Sequence, residues 1–273
     1  MNSPMPWVGG KKALREIIVP LFPSSYKKYV EVFGGAGWIL FHKEKGKDIE
    51  IYNDRNSLLV NLFRTFQNKR KLKKMQEILK YALNSREEFN RIKKALERPH
   101  FVPPVRRAAY FYELIRYSYA ASLTSWGGQP HSIRGDFRTM DEACERLQEV
   151  IVENRDFEEL IKAQDGKDTF FYCDPPYHES EQFYKNVGGF KEADHYRLRD
   201  LLLSIEGKFL LSYNDDEFIR SLYDKPGIYL MEIKRLHNMK QRFDAGSEFP
   251  ELLIANYDIY DSSVLASAQT SLF

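Results

Sequence analysis

Apolar residues along the chain follow two periodicities. Short runs rich in β-branched and aromatic residues predict strands. They lie at residues 29–33, 49–52, 150–153, 169–173, 209–213, 228–233 and 252–260. The run at 169–173 is largely apolar and aromatic, which predicts a central strand covered on both faces. Because helical stretches separate these runs, the pattern favours an α/β fold with a layered, mostly parallel sheet.

Residues 57–119 follow a helical pattern instead. Apolar side chains recur at helical spacing in three stretches, and prolines at positions 99, 103 and 104 separate these from a fourth helix predicted near Val105. The next stretch, residues 122–138, is rich in Gly, Ser and Arg and predicts a loop or hairpin. The sequence thus predicts a helical insertion between two strands. The final residues, 262–273, predict a loose tail.

Positive charge is concentrated in this insertion. Residues 64–116 hold 15 Lys and Arg against 5 Asp and Glu, whereas the whole chain has a net charge of only +2. A concentrated basic region indicates a polyanionic partner. The alternative is an ordinary solvated helix surface, and the charge pattern by itself slightly favours that alternative.

Composition argues against a disulfide-rich, a metal-binding and a membrane-spanning protein. With only two cysteines, Cys144 and Cys173, the chain is not a disulfide-rich scaffold. Neither the cysteines nor the six histidines have the spacing of metal ligands, so we expect no metal ion. We find no apolar run long enough to cross a membrane and no signal peptide, and a reducing cytoplasm is the expected compartment. No feature indicates a protein partner, which is compatible with a monomer.

A glycine-rich turn follows the first predicted strand. Residues 31–37 have the sequence EVFGGAG, and glycine at Gly35 and Gly37 lets the backbone approach a ligand closely. A nicotinamide dinucleotide fingerprint would need a third glycine where Leu40 stands. Asp54 follows the next strand, where a carboxylate can accept hydrogen bonds from ribose hydroxyls. The alternatives are a plain tight turn and a helix N-cap at Asp54.

The segment Asp174-Pro175-Pro176-Tyr177 directly follows the predicted central strand. Two prolines stiffen the backbone and remove two N–H donors, which leaves carbonyl acceptors beside the Asp174 carboxylate. Such acceptors suit a poor nucleophile such as a ring-conjugated amine, because by binding the amino hydrogens they return electron density to nitrogen. The Tyr177 ring would stack on the same ring system, and stacking needs the ring more than the hydroxyl. The alternative is a turn at the strand edge with a core tyrosine.

A further element lies near the N-terminus, where residues 6–11 have the sequence PWVGGK. It lacks the spacing and the Ser or Thr of a phosphate-binding loop. By itself it predicts an ordinary loop.

Taken together, these motifs and their order resemble the DNA adenine-N6 methyltransferases of the Dam-type D12 class. The resemblance extends from Trp7 to Tyr257, and residues 251–257 are similar to the family's closing strand. It implies the Rossmann-like sheet of S-adenosylmethionine-dependent methyltransferases with an inserted helical target-recognition domain. The catalytic domain is then expected at residues 1–56 and 142–273, and the recognition domain at residues 57–141.

The resemblance also implies roles for individual residues. S-adenosylmethionine is the expected cofactor, and double-stranded DNA is the expected partner. The expected catalytic residues, which would enclose a flipped-out adenine, are Asp174, Pro175, Pro176 and Tyr177. The expected cofactor contacts are Trp7, Lys11, Phe33, Gly35, Gly37, Asp54, Asp156, Phe157 and Asp174. The expected DNA contacts are Lys69, Arg70, Lys73, Arg116, Trp126 and Arg134.

Two positions depart from the family pattern. Pro6 stands where members often have a basic residue, and Trp38 replaces the small residue that usually follows the glycine turn. The stretch around Trp126 does not closely match a Dam-type hairpin, so the recognition sequence does not carry over. Two other functions stay open: an RNA adenine-N6 methyltransferase, and a DNA-binding module without catalysis. The length of the insertion favours DNA, and Asp174 together with the glycine turn favours catalysis.

Overall fold

The computed structural model describes residues 1–178, 189–236 and 248–260. The strands are β1 Lys28–Glu31, β2 Ile49–Asn53, β3 Ile151–Glu153, β4 Thr169–Cys173, β5 Lys208–Asn214, β6 Tyr229–Leu236 and β7 Glu248–Ala255. They form a seven-stranded sheet in the order β3-β2-β1-β4-β5-β7-β6. The helices are α1 Arg15–Ile18, α2 Trp38–His42, α3 Ser57–Phe66, α4 Lys69–Leu79, α5 Arg86–Leu96, α6 Pro104–Tyr117, α7 Phe137–Arg146, α8 Phe157–Gln164, α9 Glu192–Leu202 and α10 Glu217–Tyr223. None of the helices in these ranges has the length and apolar character that a membrane span requires.

The chain divides into two compact units. The helical unit comprises Met1–Lys11, Gly34–Gly46 and Tyr52–Asn154. The sheet unit comprises Lys12–Phe33, Lys47–Ile51 and the described part of Arg155–Phe273. Helices α2 to α7 therefore belong to the helical unit, whereas β1, β4 to β7 and α8 to α10 belong to the sheet unit.

Strand β4 is covered on both faces, and all five of its residues are buried. It pairs in parallel with β1 and β5, so that Val30, Phe171 and Phe209 lie in register. These three side chains share one core cluster with apolar residues of α8 and α9. On the other face, Phe170 packs edge-on against Phe22 with ring centroids 4.6 Å apart. The prediction of a central strand at residues 169–173 is confirmed.

Strand β7 is antiparallel to both of its neighbours, β5 and β6. The strand predicted at residues 252–260 was wrong at both ends. It begins earlier because β6 pairs with its first residues. It ends at Ala255 because the Asn256 side chain then takes over the pairing: its Oδ1 accepts from the Phe209 N–H at 2.9 Å and its Nδ2 donates to the Gly207 oxygen at 2.9 Å. The run predicted at 228–233 is confirmed as β6, which continues to Leu236.

Helix α6 packs against α3, α4 and α5 in the helical unit. Each of those three helices begins after a side chain that accepts backbone N–H groups of the first turn, and these caps are Asn56, Asn68 and Ser85. The predicted helical pattern is confirmed. The helix expected near Val105 begins at Pro104, a first-turn position that tolerates proline.

The stretch at residues 122–138, predicted as a loop or hairpin, is irregular only in its first part. A single bridge pairs Ser118 with Trp126, and one turn of 3₁₀ helix follows at Ile133–Asp136. Helix α7 then begins at Phe137, before the predicted limit, because its apolar residues recur at helical spacing and bury one face. The tail predicted at 262–273 lies outside the described residues.

One carboxyl group is buried in α6. Glu113 is only 5% exposed. Burial raises the pKa of its carboxyl from 4.5 to about 7, Glu88 adds to the rise, and Arg91 opposes it. Because the pKa in the folded state lies above the unfolded value, the folded protein binds more protons between these two pH values. Its free energy of unfolding therefore falls as the pH rises through this window.

Replacing Glu113 by Gln should remove this loss of stability. An amide has no charge to desolvate, so the free energy of unfolding of Glu113→Gln should not fall in this window. Relative to the wild type it should rise by up to about 3 kcal/mol between pH 4.5 and 7, and the difference should persist above pH 7. Urea denaturation at a series of pH values measures the difference. Glu97→Gln, which changes an exposed glutamate, is the control and should give a flat difference. Parallel curves for Glu113→Gln and the wild type would contradict the assignment.

Candidate active site

The glycine loop, residues 34–37, leads into α2. Gly34 accepts from the Gly37 N–H at 2.7 Å, which closes a tight turn. Gly35 and Gly37 have φ values of +50° and +67°, in the left-handed region that side chains rarely adopt. A Cβ at Gly34 would lie 2.2 Å from a ring carbon of Tyr52. Glycine is thus needed at all three positions.

The Asp54 carboxylate holds this loop. Its Oδ2 accepts from the Gly35 N–H at 2.9 Å, and its Oδ1 accepts from the Asn56 N–H at 2.7 Å. The Tyr52 hydroxyl donates to the Gly35 carbonyl oxygen at 2.6 Å. Burial raises the pKa of Asp54, and the two backbone donors oppose the rise. Asp54 is not the helix cap that the sequence offered as an alternative, because Asn56 caps α3.

Trp7 lies against the glycine loop. Its indole Cδ1 would be 3.2 Å from a Cβ at Gly35, and its ring meets Phe111 edge-on with centroids 6.1 Å apart. Lys11, at the end of the same segment, is only 3% exposed. The structure therefore brings together Trp7, Gly35 and Asp54 of the expected cofactor contacts, and binding by these residues stays a prediction.

Strands β1 and β4 end side by side. Glu31 lies in register with Tyr172, and the Val32 N–H donates to the Tyr172 oxygen at 2.9 Å. Phe33 follows Glu31 by two residues, as Asp174 follows Tyr172. Strand β1 ends two residues before the predicted limit, because the chain turns there into the glycine loop. Carboxyl ends of neighbouring parallel strands are where open α/β sheets bind ligands.

Asp174 is oriented by a chain of two hydroxyl groups. The Ser212 hydroxyl donates to Asp174 Oδ1 at 3.1 Å. The Tyr172 hydroxyl lies 3.1 Å from the same Ser212 oxygen. Burial raises the pKa of Tyr172 well above its ordinary value, so the phenol stays protonated and donates to Ser212. Residues 174–177 are called the DPPY segment, and its first residue is therefore fixed by side chains of β4 and β5.

Tyr177, the last residue of that segment, is fixed by a third strand. Its hydroxyl donates to Glu251 Oε2 at 2.7 Å. Glu251 belongs to β7 and has no exposed surface. The Tyr177 ring also packs against Tyr213, with centroids 6.0 Å apart. The structure thus places the DPPY segment at the end of a buried strand and restrains both of its ends.

An aromatic cluster lies near the end of β1. Phe33, Phe157 and Phe190 have ring centroids 5.6 to 5.8 Å apart. The Arg197 guanidinium lies 4.4 Å from the Phe157 centroid, and its Nη2 donates to both Asp156 oxygens at 3.1 and 3.0 Å. Asp156 also caps α8. The expected cofactor contacts Phe33, Asp156 and Phe157 are therefore grouped, with the carboxylate held by an arginine.

Sequence reasoning missed Ser212, Glu251 and Arg197. They lie 38, 74 and 41 positions from the residues they contact, so no motif with a fixed spacing contains both partners. The signal for two of them was a polar residue in an otherwise apolar strand. Ser212 interrupts the run FLLSY, and Glu251 stands directly before LLIA.

The cysteine that precedes Asp174 belongs to the core of the sheet. Cys173 is fully buried in β4, and burial raises the pKa of its thiol, so it is a core residue. In the described ranges, no three His, Cys, Asp or Glu side chains are grouped to hold a metal ion.

Helix α4 presents a basic face. Its buried side is apolar except for Gln76, whereas Lys69, Arg70 and Lys73 are exposed. Lys69 forms an ion pair with Glu145 at 2.8 Å. A helix with this distribution offers positive charge to a polyanion.

The other expected DNA contacts are engaged within the helical unit. Arg116 is ion-paired with Asp136 at 2.9 Å, and its side chain is only 20% exposed. Trp126 donates its indole N–H to Asn84 Oδ1 at 2.9 Å. Arg134 is exposed and donates to the carbonyl oxygen at the C-terminal end of α4 at 2.7 Å. These contacts give each side chain a structural role, and DNA binding by the three stays a prediction.

The loop between α6 and Trp126 is strained. Ala120, Ala121 and Leu123 have φ values of 49°, 56° and 63°. Non-glycine residues in this conformation cost roughly 1–2 kcal/mol each and cluster at functional sites. Two backbone bonds hold the loop, from Tyr119 N–H to the Ser125 oxygen and from Gly127 N–H to the Tyr117 oxygen, both at 2.8 Å.

Comparison with known proteins identifies the family. The sequence model described as "D12 class N6 adenine-specific DNA methyltransferase" matches residues 7–239. The type II methyltransferase M1.LlaDCHI of Lactococcus lactis subsp. cremoris is 28% identical over 92% of this chain and 94% of its own. The type II methyltransferase M.CviBI of Paramecium bursaria Chlorella virus NC1A is 22% identical over 82% and 87%. The type II methyltransferase M.FokI of Planomicrobium okeanokoites is 24% identical over 95% of this chain and 43% of its own.

These matches bear on the alternatives that the sequence left open. They extend over both the glycine loop and the DPPY segment, and the description of the matched family names DNA as its substrate. The mixed α/β sheet agrees with the methyltransferase fold predicted from the sequence. The chain therefore belongs to the D12 class of N6 adenine-specific DNA methyltransferases and is itself an adenine-specific DNA methyltransferase.

Proposed function

We propose that this enzyme transfers the sulfonium methyl group of S-adenosylmethionine to N6 of an adenine flipped out of duplex DNA, with release of S-adenosylhomocysteine and of one proton from the amine. The observation that carries the proposal is the restrained DPPY segment at the end of β4. Its two ends are hydrogen-bonded by Ser212 and Glu251, both without exposed surface. Fixed acceptors beside a fixed aromatic ring suit an exocyclic amine of a base.

Asp174 would activate the amine. The lone pair of N6 is delocalised into the adenine ring, so the nitrogen is a weak nucleophile. When Asp174 and a carbonyl oxygen next to the two prolines accept hydrogen bonds from the amino hydrogens, electron density returns to nitrogen. The hydrogen bond from Ser212 keeps the carboxylate in one orientation, which lowers the cost of reaching the reactive geometry.

Tyr177 would hold the flipped base. Extrusion of a base costs a few kcal/mol in lost stacking and pairing. Stacking on an aromatic side chain can recover roughly 1–3 kcal/mol of that cost. The Tyr177 ring is half-buried and is restrained by Glu251 and Tyr213, so little further ordering is needed.

The chain offers two groups of residues that fit the cofactor. A Cβ on any glycine of the glycine loop would crowd a neighbouring aromatic side chain. Trp7, Lys11 and Asp54 would contact the cofactor beside this loop. Asp156 and Phe157 would contact its adenine ring, and Phe33 and Asp174 would also contact the cofactor. When bound, S-adenosylmethionine supplies an electrophilic methyl group on a sulfonium. The protein's own contribution is to bind, orient and exclude water.

Residues 57–141 would form the target-recognition domain, and residues 1–56 and 142–273 the catalytic domain. The exposed lysines and arginines of α4 and the strained loop before Trp126 support DNA contact from this insertion. Phosphate contacts position a protein on DNA, whereas side chains that reach base edges specify the sequence. The loop is therefore the better candidate for site recognition, and α4 for affinity.

The proposal predicts the methylated product. We expect the purified enzyme, with radiolabelled S-adenosylmethionine, to place label in N6-methyladenine of PCR-amplified duplex DNA and not in ribosomal RNA. Digestion to nucleosides and chromatography identify the product. In the same assay, Asp174→Ala should lower the rate by about 10²–10³-fold. Asp168→Ala, which changes an exposed aspartate just before β4, is the matched control and should retain activity.

Label in N4-methylcytosine, or in RNA alone, would contradict the proposed substrate. An Asp174→Ala variant that folds and turns over at the rate of the control would contradict the assignment of the site.

A methyl group added to the glycine loop should weaken cofactor binding. Gly35→Ala adds a Cβ at a positive φ and 3.2 Å from Trp7, so we expect the Kd for S-adenosylmethionine to rise by about tenfold or more. Calorimetry measures the Kd. Gly227→Ala introduces the same backbone strain into open space, and it should leave the Kd unchanged. Equal Kd values for both variants would remove the glycine loop from the cofactor site.

Loss of charge on α4 should weaken DNA binding at every sequence. The triple variant of Arg70, Lys73 and Lys74 to Gln should bind duplex DNA less tightly, because it loses contacts with phosphates. Each lost contact should also reduce the slope of log K against log salt by about one. Fluorescence anisotropy at several salt concentrations gives the slope. The matched control changes three exposed lysines of the sheet unit to Gln, at Lys162, Lys167 and Lys225. Identical slopes for the two triple variants would identify α4 as an ordinary solvated surface.

A further inference from the structure

We propose that Glu251 is a positioning residue for methyl transfer, because it fixes the ring of Tyr177 through the phenolic hydroxyl. The inference rests on the proposed function, in which that ring stacks on the target base. Glu251 itself would touch neither the base nor the cofactor's methyl group. Its effect on the rate would pass through Tyr177.

The Tyr177 ring is restrained at both of its ends. Pro175 and Pro176 restrain the backbone from which the Tyr177 ring projects. The hydroxyl, at the far end of the ring, donates to Glu251 Oε2 at 2.7 Å. A tyrosine whose backbone and hydroxyl are both held has a fixed ring axis. Rotation about that axis is limited by Tyr213, whose ring lies at 43° to that of Tyr177.

The acceptor is rigid because of its place in the sheet. Glu251 lies in β7 with register partners on both sides, Asn214 of β5 and Ile233 of β6. Its side chain has no exposed surface, so water does not compete for the Tyr177 hydroxyl there. The carboxylate is therefore a fixed point to which the ring is attached.

The direction of the hydrogen bond is also fixed. Burial raises the pKa of Tyr177 well above its ordinary value, and the nearby Asp174 and Glu251 add to the rise. The phenol consequently stays protonated and donates, and Glu251 accepts. A glutamine at this position could still accept through its amide oxygen, whereas methionine has a similar volume and lacks such an oxygen.

The same chain contains a matched pair outside the DPPY segment. The Tyr29 hydroxyl donates to Glu31 Oε2, also at 2.7 Å, and both residues are buried in β1. Tyr29→Phe therefore removes the same kind of hydrogen bond as Tyr177→Phe. A general loss of stability would appear in both variants, whereas a positioning effect would appear in Tyr177→Phe alone.

The structure changes the expectation for Tyr177→Phe. From the sequence, stacking needs the ring more than the hydroxyl, which predicts that phenylalanine replaces Tyr177 with little loss. In the structure, the hydroxyl donates the hydrogen bond to Glu251 that restrains the ring. Without it the ring axis is free to shift, and a displacement of about 1 Å at a reacting centre can cost about 10²-fold in rate.

The test is the single-turnover rate of methyl transfer to PCR-amplified duplex DNA, with DNA and S-adenosylmethionine both saturating. We expect Glu251→Met and Tyr177→Phe to lower this rate by about 10- to 100-fold, with the KM for S-adenosylmethionine within about threefold of wild type. Glu251→Gln should stay within about threefold of the wild-type rate. Tyr29→Phe should lower the Tm and leave the rate unchanged.

A wild-type rate in Glu251→Met, or a rate in Glu251→Gln as low as in Glu251→Met, would overturn the proposal. If Glu251→Met does not fold, as judged by Tm and cofactor binding, Tyr177→Phe decides, and an equal rate for it and Tyr29→Phe overturns the proposal. A failure of the proposed function looks different, since the wild-type enzyme itself would then give no N6-methyladenine.

Discussion

The DPPY segment is held at both of its ends by hydrogen bonds with side chains of other strands. Ser212 of β5 orients Asp174, and Glu251 of β7 receives the hydroxyl of Tyr177. Both residues occupy positions that apolar side chains could fill. A buried polar group costs roughly 1–3 kcal/mol when it has no partner, and the hydrogen bonds to the segment offset that cost. The sheet therefore positions the DPPY segment accurately, and it also provides a hydrophobic core.

The glycine loop is restrained by the same means in the helical unit. Asp54 and Tyr52 bind the N–H and the carbonyl of Gly35, so that a short and sterically open turn has one backbone conformation. The loop would be flexible without those two contacts, because glycine has wide conformational freedom. In each unit, residues expected at the active site are therefore fixed by hydrogen bonds with neighbouring side chains.

The sequence was most informative where structure depends on local composition. The bounds of β4 were predicted because a strand buried on both faces needs an unbroken apolar run. The ends of β7 could not be predicted in this way, because they depend on pairing with β6 and on the side chain of Asn256. Similarly, Asp54 has the spacing of a helix cap, and only the folded loop shows that it binds Gly35 instead.

The same distinction between local composition and tertiary contacts applies to the candidate site. The DPPY segment and the glycine loop are contiguous, so their chemistry is readable from residue types and spacing. Ser212, Glu251 and Arg197 approach their partners only because of strand order and helix packing, which the hydrophobic pattern does not encode. The expected role of a residue can also change when its partner is known, as the hydroxyl of Tyr177 illustrates.

Tyr177 and Glu251 should act as one unit in catalysis, because the hydrogen bond between them fixes the ring. A double-mutant cycle on single-turnover rate constants tests this most directly, with Tyr177→Phe, Glu251→Met and the combined variant. We expect the combined variant to be no more than about threefold slower than the slower single variant, because the second change removes an interaction that is already lost. A combined loss equal to the product of the two single losses would show that the two residues act independently.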